Sequence, residues 1–208
     1  MNKNKLKMFD LTNQYSKLKP KISTSVQQVL ESGQYILGQN VIKFEKNLSK
    51  YIGSKYSISC NSGTDALILS LMCLGITRED EVITSPFTYF ATAEAITLCG
   101  AKPIFIDIDK DSFNINPEKI SQAITKKTKA IIIVHIFGQP ANMIEIKKIC
   151  KKFNIKIIED CAQSIGSKIK SMKTGAFGDF GCFSFFPTKN LGCAGDGGAI
   201  VTSNKSFA

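Results

Sequence analysis

Residues 130–160 read AIIIVHIFGQPANMIEIKKICKKFNIKIIED. A short β-rich run, 130–135, apolar up to His135, is followed by a stretch with helical apolar spacing, 141–153, and then by a second short β-rich run, 156–159, around Ile157 and Ile158. Strand, helix, strand in this order is a βαβ unit, and strands alternating with helices make a mostly parallel sheet covered on both faces. The same alternation extends outward in both directions. Further strand-like runs lie at 56–60, 81–84, 103–107, 181–186 and 198–202, with helical stretches at 64–74, 88–99 and 117–125. Seven strand candidates make an α/β fold: a mostly parallel seven-stranded sheet between helices. Two earlier helical stretches, 20–32 (Ile22, Val26, Val29, Leu30) and 39–51 (Val41, Phe44, Leu48, Tyr51), precede the first strand. They mark residues 1–55 as an N-terminal helical segment and 56–208 as a large domain.

Composition narrows the function. At 43% hydrophobic and 21% charged, the 208 residues are those of a globular chain, which excludes disorder, collagen repeats and coiled coil. The net charge is +10, yet Arg78 is the only arginine and the lysines fall in helical stretches such as Lys147-Lys148 and Lys151-Lys152. Without arginine forks, interleaved aromatics or a reading helix, nucleic acid is not an expected partner. No apolar run approaches the roughly 20 residues that span a bilayer, so no membrane partner is expected. The basic start, residues 1–5, is followed by no apolar signal segment. Seven cysteines without a CxxC pair, beside a single histidine, argue for reduced thiols in a cytoplasmic protein and against a metal centre.

In open α/β sheets ligands gather beyond the carboxyl ends of the strands, so the segments after each strand carry the functional reading. After the first comes Cys60-Asn61-Ser62-Gly63-Thr64-Asp65. It reads either as a plain helix N-cap or as a phosphate cup made by the Gly63 and Thr64 amides and the Thr64 hydroxyl. After the second, Pro86-Phe87-Thr88-Tyr89-Phe90 offers three aromatics, for core packing or for stacking on a flat ligand. After the fifth, Glu159-Asp160-Cys161-Ala162-Gln163 places a carboxylate at the mouth of an apolar strand, as a helix cap or as the partner of a cation. After the sixth, Phe183-Ser184-Phe185-Phe186-Pro187-Thr188-Lys189 sets a lysine behind an aromatic strand and ahead of glycines 192, 195, 197 and 198. A lysine so placed is poorly explained as a solvated charge and suits an amine nucleophile. His135 ends the fourth strand and reads as a satisfied structural histidine rather than a catalytic one. GxGxxG, GxxxxGK[ST] and GxSxG are all absent, which leaves dinucleotide binding, P-loop chemistry and Ser-His-Asp hydrolysis unsupported.

Ser62-Gly63-Thr64-Asp65-Ala66-Leu67, Glu159-Asp160-Cys161-Ala162-Gln163 and Phe183 through Gly192, taken together, resemble the DegT/DnrJ/EryC1/StrS family. These are fold type I aminotransferases that use pyridoxal 5'-phosphate and act on nucleotide-linked keto sugars. The likeness runs from about residue 9 to 204 and includes Gly33-Gln34-Tyr35-Ile36-Leu37-Gly38, Asp80-Glu81-Val82-Ile83 and Val134 through Pro140. The resemblance implies that Lys189 is the Schiff-base lysine and proton carrier, and that Asp160 pairs with the pyridine nitrogen and keeps it protonated. It implies that Tyr89 stacks on the ring and Gln163 lies near the ring hydroxyl. Gly63, Thr64 and Ser184 match the phosphate contacts, with Ser62 beside them.

It further implies glutamate as amino donor, a UDP- or dTDP-linked keto sugar as acceptor, a homodimer, and a role in amino-sugar and cell-surface polysaccharide, including lipopolysaccharide, biosynthesis. Two rivals are a sugar dehydratase of the same family, which carries histidine where this chain has Lys189, and a non-catalytic cofactor-binding regulator. Family members continue into a smaller C-terminal domain, so the chain reads as a fragment, folded but a poor enzyme by itself.

Overall fold

Neighbouring residues of a strand point to opposite faces, yet Ile131, Ile132 and Ile133, in the strand Thr128–Val134, are all completely buried. The sheet that holds them is therefore covered on both sides. The computed structural model describes residues 8–208; residues 1–7, the start of the segment 1–55, lie outside the described residues.

The strands are β1 (Tyr56–Cys60), β2 (Glu81–Thr84), β3 (Lys102–Phe105), β4 (Thr128–Val134), β5 (Lys156–Asp160), β6 (Lys168–Ile169), β7 (Met172–Lys173), β8 (Phe180–Ser184) and β9 (Gly198–Thr202). Seven of them form one sheet in the order β1-β9-β8-β5-β4-β2-β3. Pairings are parallel from β3 through β2, β4 and β5 to β8. Only β9 runs against its neighbours, β8 and β1. All seven strand candidates read from the sequence lie in this sheet, with ends shifted by a few residues. The β6–β7 pair is a separate two-residue hairpin turned by Lys170 at φ 54, too short and polar to leave a strand pattern.

Helices α3 (Gly63–Cys73) and α4 (Ala91–Leu98) cover one face, where Leu67, Leu71 and Ile96 pack with Val82, Ile132, Ile158 and Phe180. Helices α5 (Pro117–Ala123) and α6 (Met143–Phe153) cover the other, where Ile120, Met143 and Ile146 meet Ile83, Ile131, Ile133 and Ile157. Each fully buried isoleucine contributes about 1.5–3 kcal/mol by leaving water. The alternating faces of β4 thus tie both layers to the same strand.

The chain separates into two compact units, residues 1–44 and 45–208. The division falls inside helix α2 (Gln39–Ile52), ahead of the boundary at 55 read from the sequence. In the first unit, helix α1 spans Thr12–Ser32, ended by Gly33 in the left-handed region at φ 66, and buries no residue. Its start at Thr12 corrects the start at Pro20 expected from sequence. Pro20 lies inside the helix, where it lacks the N–H of one turn without stopping the chain. Among the described residues no helix is long and apolar enough to cross a membrane.

Candidate active site

A cavity of about 720 Å³ opens at the carboxyl ends of the parallel strands. Its walls come from the segments that follow β1, β2, β4, β5 and β8, the place where open parallel sheets collect ligands. Ser62, Gly63, Thr64, Tyr89, Asp160, Gln163, Ser184 and Lys189 all line it. Residues up to 127 positions apart in sequence are therefore brought to one hollow by strand order alone.

The β1 end makes a cup. The Ser62 hydroxyl caps α3 by accepting from the Asp65 amide at 3.0 Å, so the helix-cap reading is realised. Gly63 and Thr64 are the first helical residues, whose amides have no acceptor within the helix and face the positive end of its dipole. Packing here leaves no room for side chains. A Cβ on Gly63 would lie 2.7 Å from Ser184 Cβ, and one on Gly198 would lie 2.2 Å from the Ser62 carbonyl oxygen.

Asp160 is 7% exposed at the last position of β5. Its Oδ1 accepts from the Ala162 amide at 3.1 Å and its Oδ2 from the Thr92 hydroxyl at 2.8 Å. No helix follows it, which removes the helix-capping reading, and among the described residues no cation pairs with it. A buried carboxylate with two neutral donors and an open cavity beside it is arranged to receive a positively charged partner.

Tyr89 is 79% exposed, Phe90 71% and Phe87 41%, so none of the three aromatics packs in the core as one sequence reading had them. Helix α4 begins at Ala91, after them rather than at residue 88. Tyr89 keeps its ring uncovered on the cavity wall.

Lys189 stands in the loop between β8 and β9. The loop is pinned by the Lys189 amide to the Phe186 carbonyl at 2.8 Å, Cys193 to Phe185 at 2.8 Å, and Phe185 to Gly197 at 2.7 Å. A Cβ on Gly192 would meet the Pro187 carbonyl oxygen at 2.4 Å, so the tight fold of the loop requires glycine there. Among the described residues the Lys189 amine has neither hydrogen bond nor ion pair.

Behind the cavity, Glu159 is completely buried and saturated. Its Oε1 accepts from the Phe177 and Gly178 amides at 2.7 Å each, and its Oε2 from the Gly175 amide at 2.8 Å and His135 Nε2 at 2.9 Å. His135 Nδ1 accepts from the Ala141 amide at 3.1 Å, so both ring nitrogens are engaged, as a structural histidine requires. Cys161 lies close enough to join these two in a metal-like triad. Its thiol is pushed well above the usual range by burial and then by Glu159, and so stays protonated. The triad is a hydrogen-bond hub.

Residues 16–208 match the sequence profile of the DegT/DnrJ/EryC1/StrS aminotransferase family. The chain is 47% identical over 203 residues to the UDP-2-acetamido-2-deoxy-3-oxo-D-glucuronate aminotransferase of Pseudomonas aeruginosa, a match covering 98% of this chain and 56% of that protein. It is 46% identical over 201 residues to the pleiotropic regulatory protein of Geobacillus stearothermophilus, covering 97% and 54% respectively. The crystal structure of ntda from Bacillus subtilis with bound cofactor PMP superposes with a TM-score of 0.87 at 37% identity, covering 92% of this chain and 43% of that one. An α/β chain with a ligand cavity at the carboxyl ends of a mostly parallel sheet fits the fold of such transferases. The chain belongs to the DegT/DnrJ/EryC1/StrS aminotransferase family. It spans about half the length of the curated relatives it matches.

The residues present fit the phosphorylated pyridine cofactor of such enzymes. The glycine-packed cup at Gly63 suits a phosphate, the buried Asp160 suits a ring cation, and the unpartnered Lys189 amine faces the same cavity. Sequence reading missed two residues here. Thr92 holds Asp160 without lining the cavity, and Asp196 lines it as a further carboxylate. The only sequence signal for Thr92 is its spacing of one helical turn from Thr88.

Proposed function

We propose that residues 56–208 form the cofactor-binding large domain of a pyridoxal-phosphate-dependent aminotransferase. It transfers an amino group from an amino acid, glutamate, to a UDP- or dTDP-linked keto sugar. The product serves amino-sugar and cell-surface polysaccharide synthesis, and the working form is a cytoplasmic homodimer. The observation that carries this reading is the convergence of Asp160, Lys189 and the Ser62-Gly63-Thr64 cup on one cavity.

When bound, the cofactor supplies an electron sink for the carbanion formed at the carbon that loses a proton. The chain's residues do the rest. The amides of Gly63 and Thr64, with the Thr64 and Ser184 hydroxyls, hold the phosphate at the helix N-terminus. Asp160 accepts from the protonated ring nitrogen and holds its positive charge in place. Tyr89 covers one ring face, and Gln163 donates toward the ring hydroxyl. The Lys189 amine would hold the cofactor, and its Nζ would be the group that takes up and returns a proton at the reacting carbon.

A direct test loads the full-length protein with pyridoxal phosphate, adds glutamate and UDP- or dTDP-linked keto sugars, and measures 2-oxoglutarate and amino sugar in equal amounts. The name of the Geobacillus relative favours a second reading, a cofactor-binding regulator. Cofactor uptake without transfer to any keto sugar would select that reading.

A further inference from the structure

Thr92 is completely buried, and its hydroxyl bridges two side chains. Its Oγ1 donates to Asp160 Oδ2 at 2.8 Å and lies 2.9 Å from Thr88 Oγ1. Two other helical threonines turn their hydroxyls back on the preceding turn: Thr24 donates to the Pro20 carbonyl, and Thr97 to those of Ala93 and Glu94. Thr92 instead spends its proton outside its own helix.

That proton fixes the direction of the chain. A hydroxyl has one proton, and that of Thr92 goes to Asp160, so Thr88 must donate to Thr92. Together with the Ala162 amide on Oδ1, the Thr92 hydroxyl leaves the carboxylate with one donor on each oxygen, which sets its plane. Thr88 lines the cavity next to Tyr89, the residue assigned to the ring face.

We propose that Thr92 is a positioning residue: its hydroxyl, polarised by Thr88, orients the Asp160 carboxylate toward the cofactor ring and ties it to the segment carrying Tyr89. This inference rests on the functional reading above. Packing and hydrogen bonding make opposite demands at this site. Valine keeps the shape of threonine without the hydroxyl, whereas serine keeps the hydroxyl without the methyl.

The experiment titrates pyridoxal phosphate into the full-length protein and reads the visible absorption band, for wild type, Thr92→Val, Thr92→Ser and Asp160→Asn. Thr92→Val is expected to raise the cofactor Kd about tenfold, the scale of one hydrogen bond to a charged group. Thr92→Ser stays within about threefold of wild type. Adding Thr92→Val to Asp160→Asn changes the Kd much less than it does in wild type, because the two side chains act through one contact. Thermal unfolding of the cofactor-free proteins confirms that each variant is folded; should Thr92→Val not fold, Thr92→Ala carries the same expectation. Wild-type affinity in Thr92→Val overturns the proposal. So does equal loss in the serine variant, or an undiminished valine effect beside Asp160→Asn. A wild-type protein that takes up no cofactor is a separate outcome, seen without any variant, and it overturns the functional reading and this inference with it.

Discussion

His135 donates its Nε2–H to Glu159 Oε2 at 2.9 Å, and neither side chain has any exposure to solvent. The Ala141 amide donates to Nδ1, so that nitrogen carries no proton and the ring is the neutral Nε2–H tautomer. Both ring nitrogens of this histidine are thereby engaged within the protein. Glu159 serves the site at one remove. By gathering the amides of Gly175, Phe177 and Gly178 it fixes the segment leading into β8, the strand that ends at Ser184.

Replacing that carboxylate by an amide tests the arrangement. Glu159→Gln has one accepting oxygen for donors that now occupy two, and its NH2 group must face a buried N–H. The expected loss is about 3 kcal/mol of folding stability, measured by urea unfolding at fixed pH. A change under about 1 kcal/mol would show that the amides find other acceptors.

Lys189 is expected to be the residue that takes the cofactor covalently. After incubation of the full-length protein with pyridoxal phosphate and reduction with borohydride, peptide mapping should place the added mass on Lys189. Its amine is without a partner in the cavity, whereas Lys156 and Lys119 are paired with Asp179 and Asp107. Modification concentrated on another lysine would refute the assignment.

Gly63→Ala separates binding from folding. Alanine suits the first turn of α3 better than glycine by about 0.5–1 kcal/mol. Against this, its Cβ would lie 2.7 Å from Ser184 Cβ, an overpacking that costs about 1–3 kcal/mol and is relieved only by spreading the cup. Stability should therefore fall by no more than about 2 kcal/mol, with the protein still folded, while the cofactor Kd rises about tenfold. Unchanged affinity in a titration of the variant would mean that the phosphate sits elsewhere.

How far the sequence reached depends on the range of the forces involved. The buried strands were legible because a parallel sheet covered on both faces favours consecutive apolar residues, and 130–134 meet that demand locally, as do Ile157 and Ile158. Ser62, Asp160 and Lys189 were legible as candidates because they end a strand or lie within a few residues beyond one. Thr92 was not, since its role depends on a contact with a residue 68 positions away that leaves no local pattern. The start of α1 was misplaced for a different reason. Proline favours the first turn of a helix, and only the finished structure shows the chain tolerating Pro20 further in. The aromatics at 87, 89 and 90 were ambiguous because apolar character alone does not distinguish a core residue from the wall of a cavity.

The cysteines give the chain a sensitivity to alkali. Burial holds the Cys150 thiol up at about 12 and the Cys60 thiol at about 11, against an ordinary value of 9.0, and raises Cys161 and Cys182 as well. Above pH 9 the unfolded chain releases these protons while the folded chain keeps them. The unfolded state then binds fewer protons, and folding stability falls as pH rises, by up to about 1.4 kcal/mol per pH unit for each fully buried thiol. Stability should be nearly constant from pH 7 to 8.5 and drop steeply between pH 9 and 10.5, with a shallower drop in Cys161→Ala. At pH 8 iodoacetamide should modify the exposed Cys73 and Cys193 first, leaving Cys150, Cys161 and Cys182 until the protein is unfolded. Urea unfolding across this pH range, with mass spectrometry of the labelled thiols, measures both. A flat stability profile to pH 10.5, or early labelling of Cys161, would show that the interior admits water at these sulfurs.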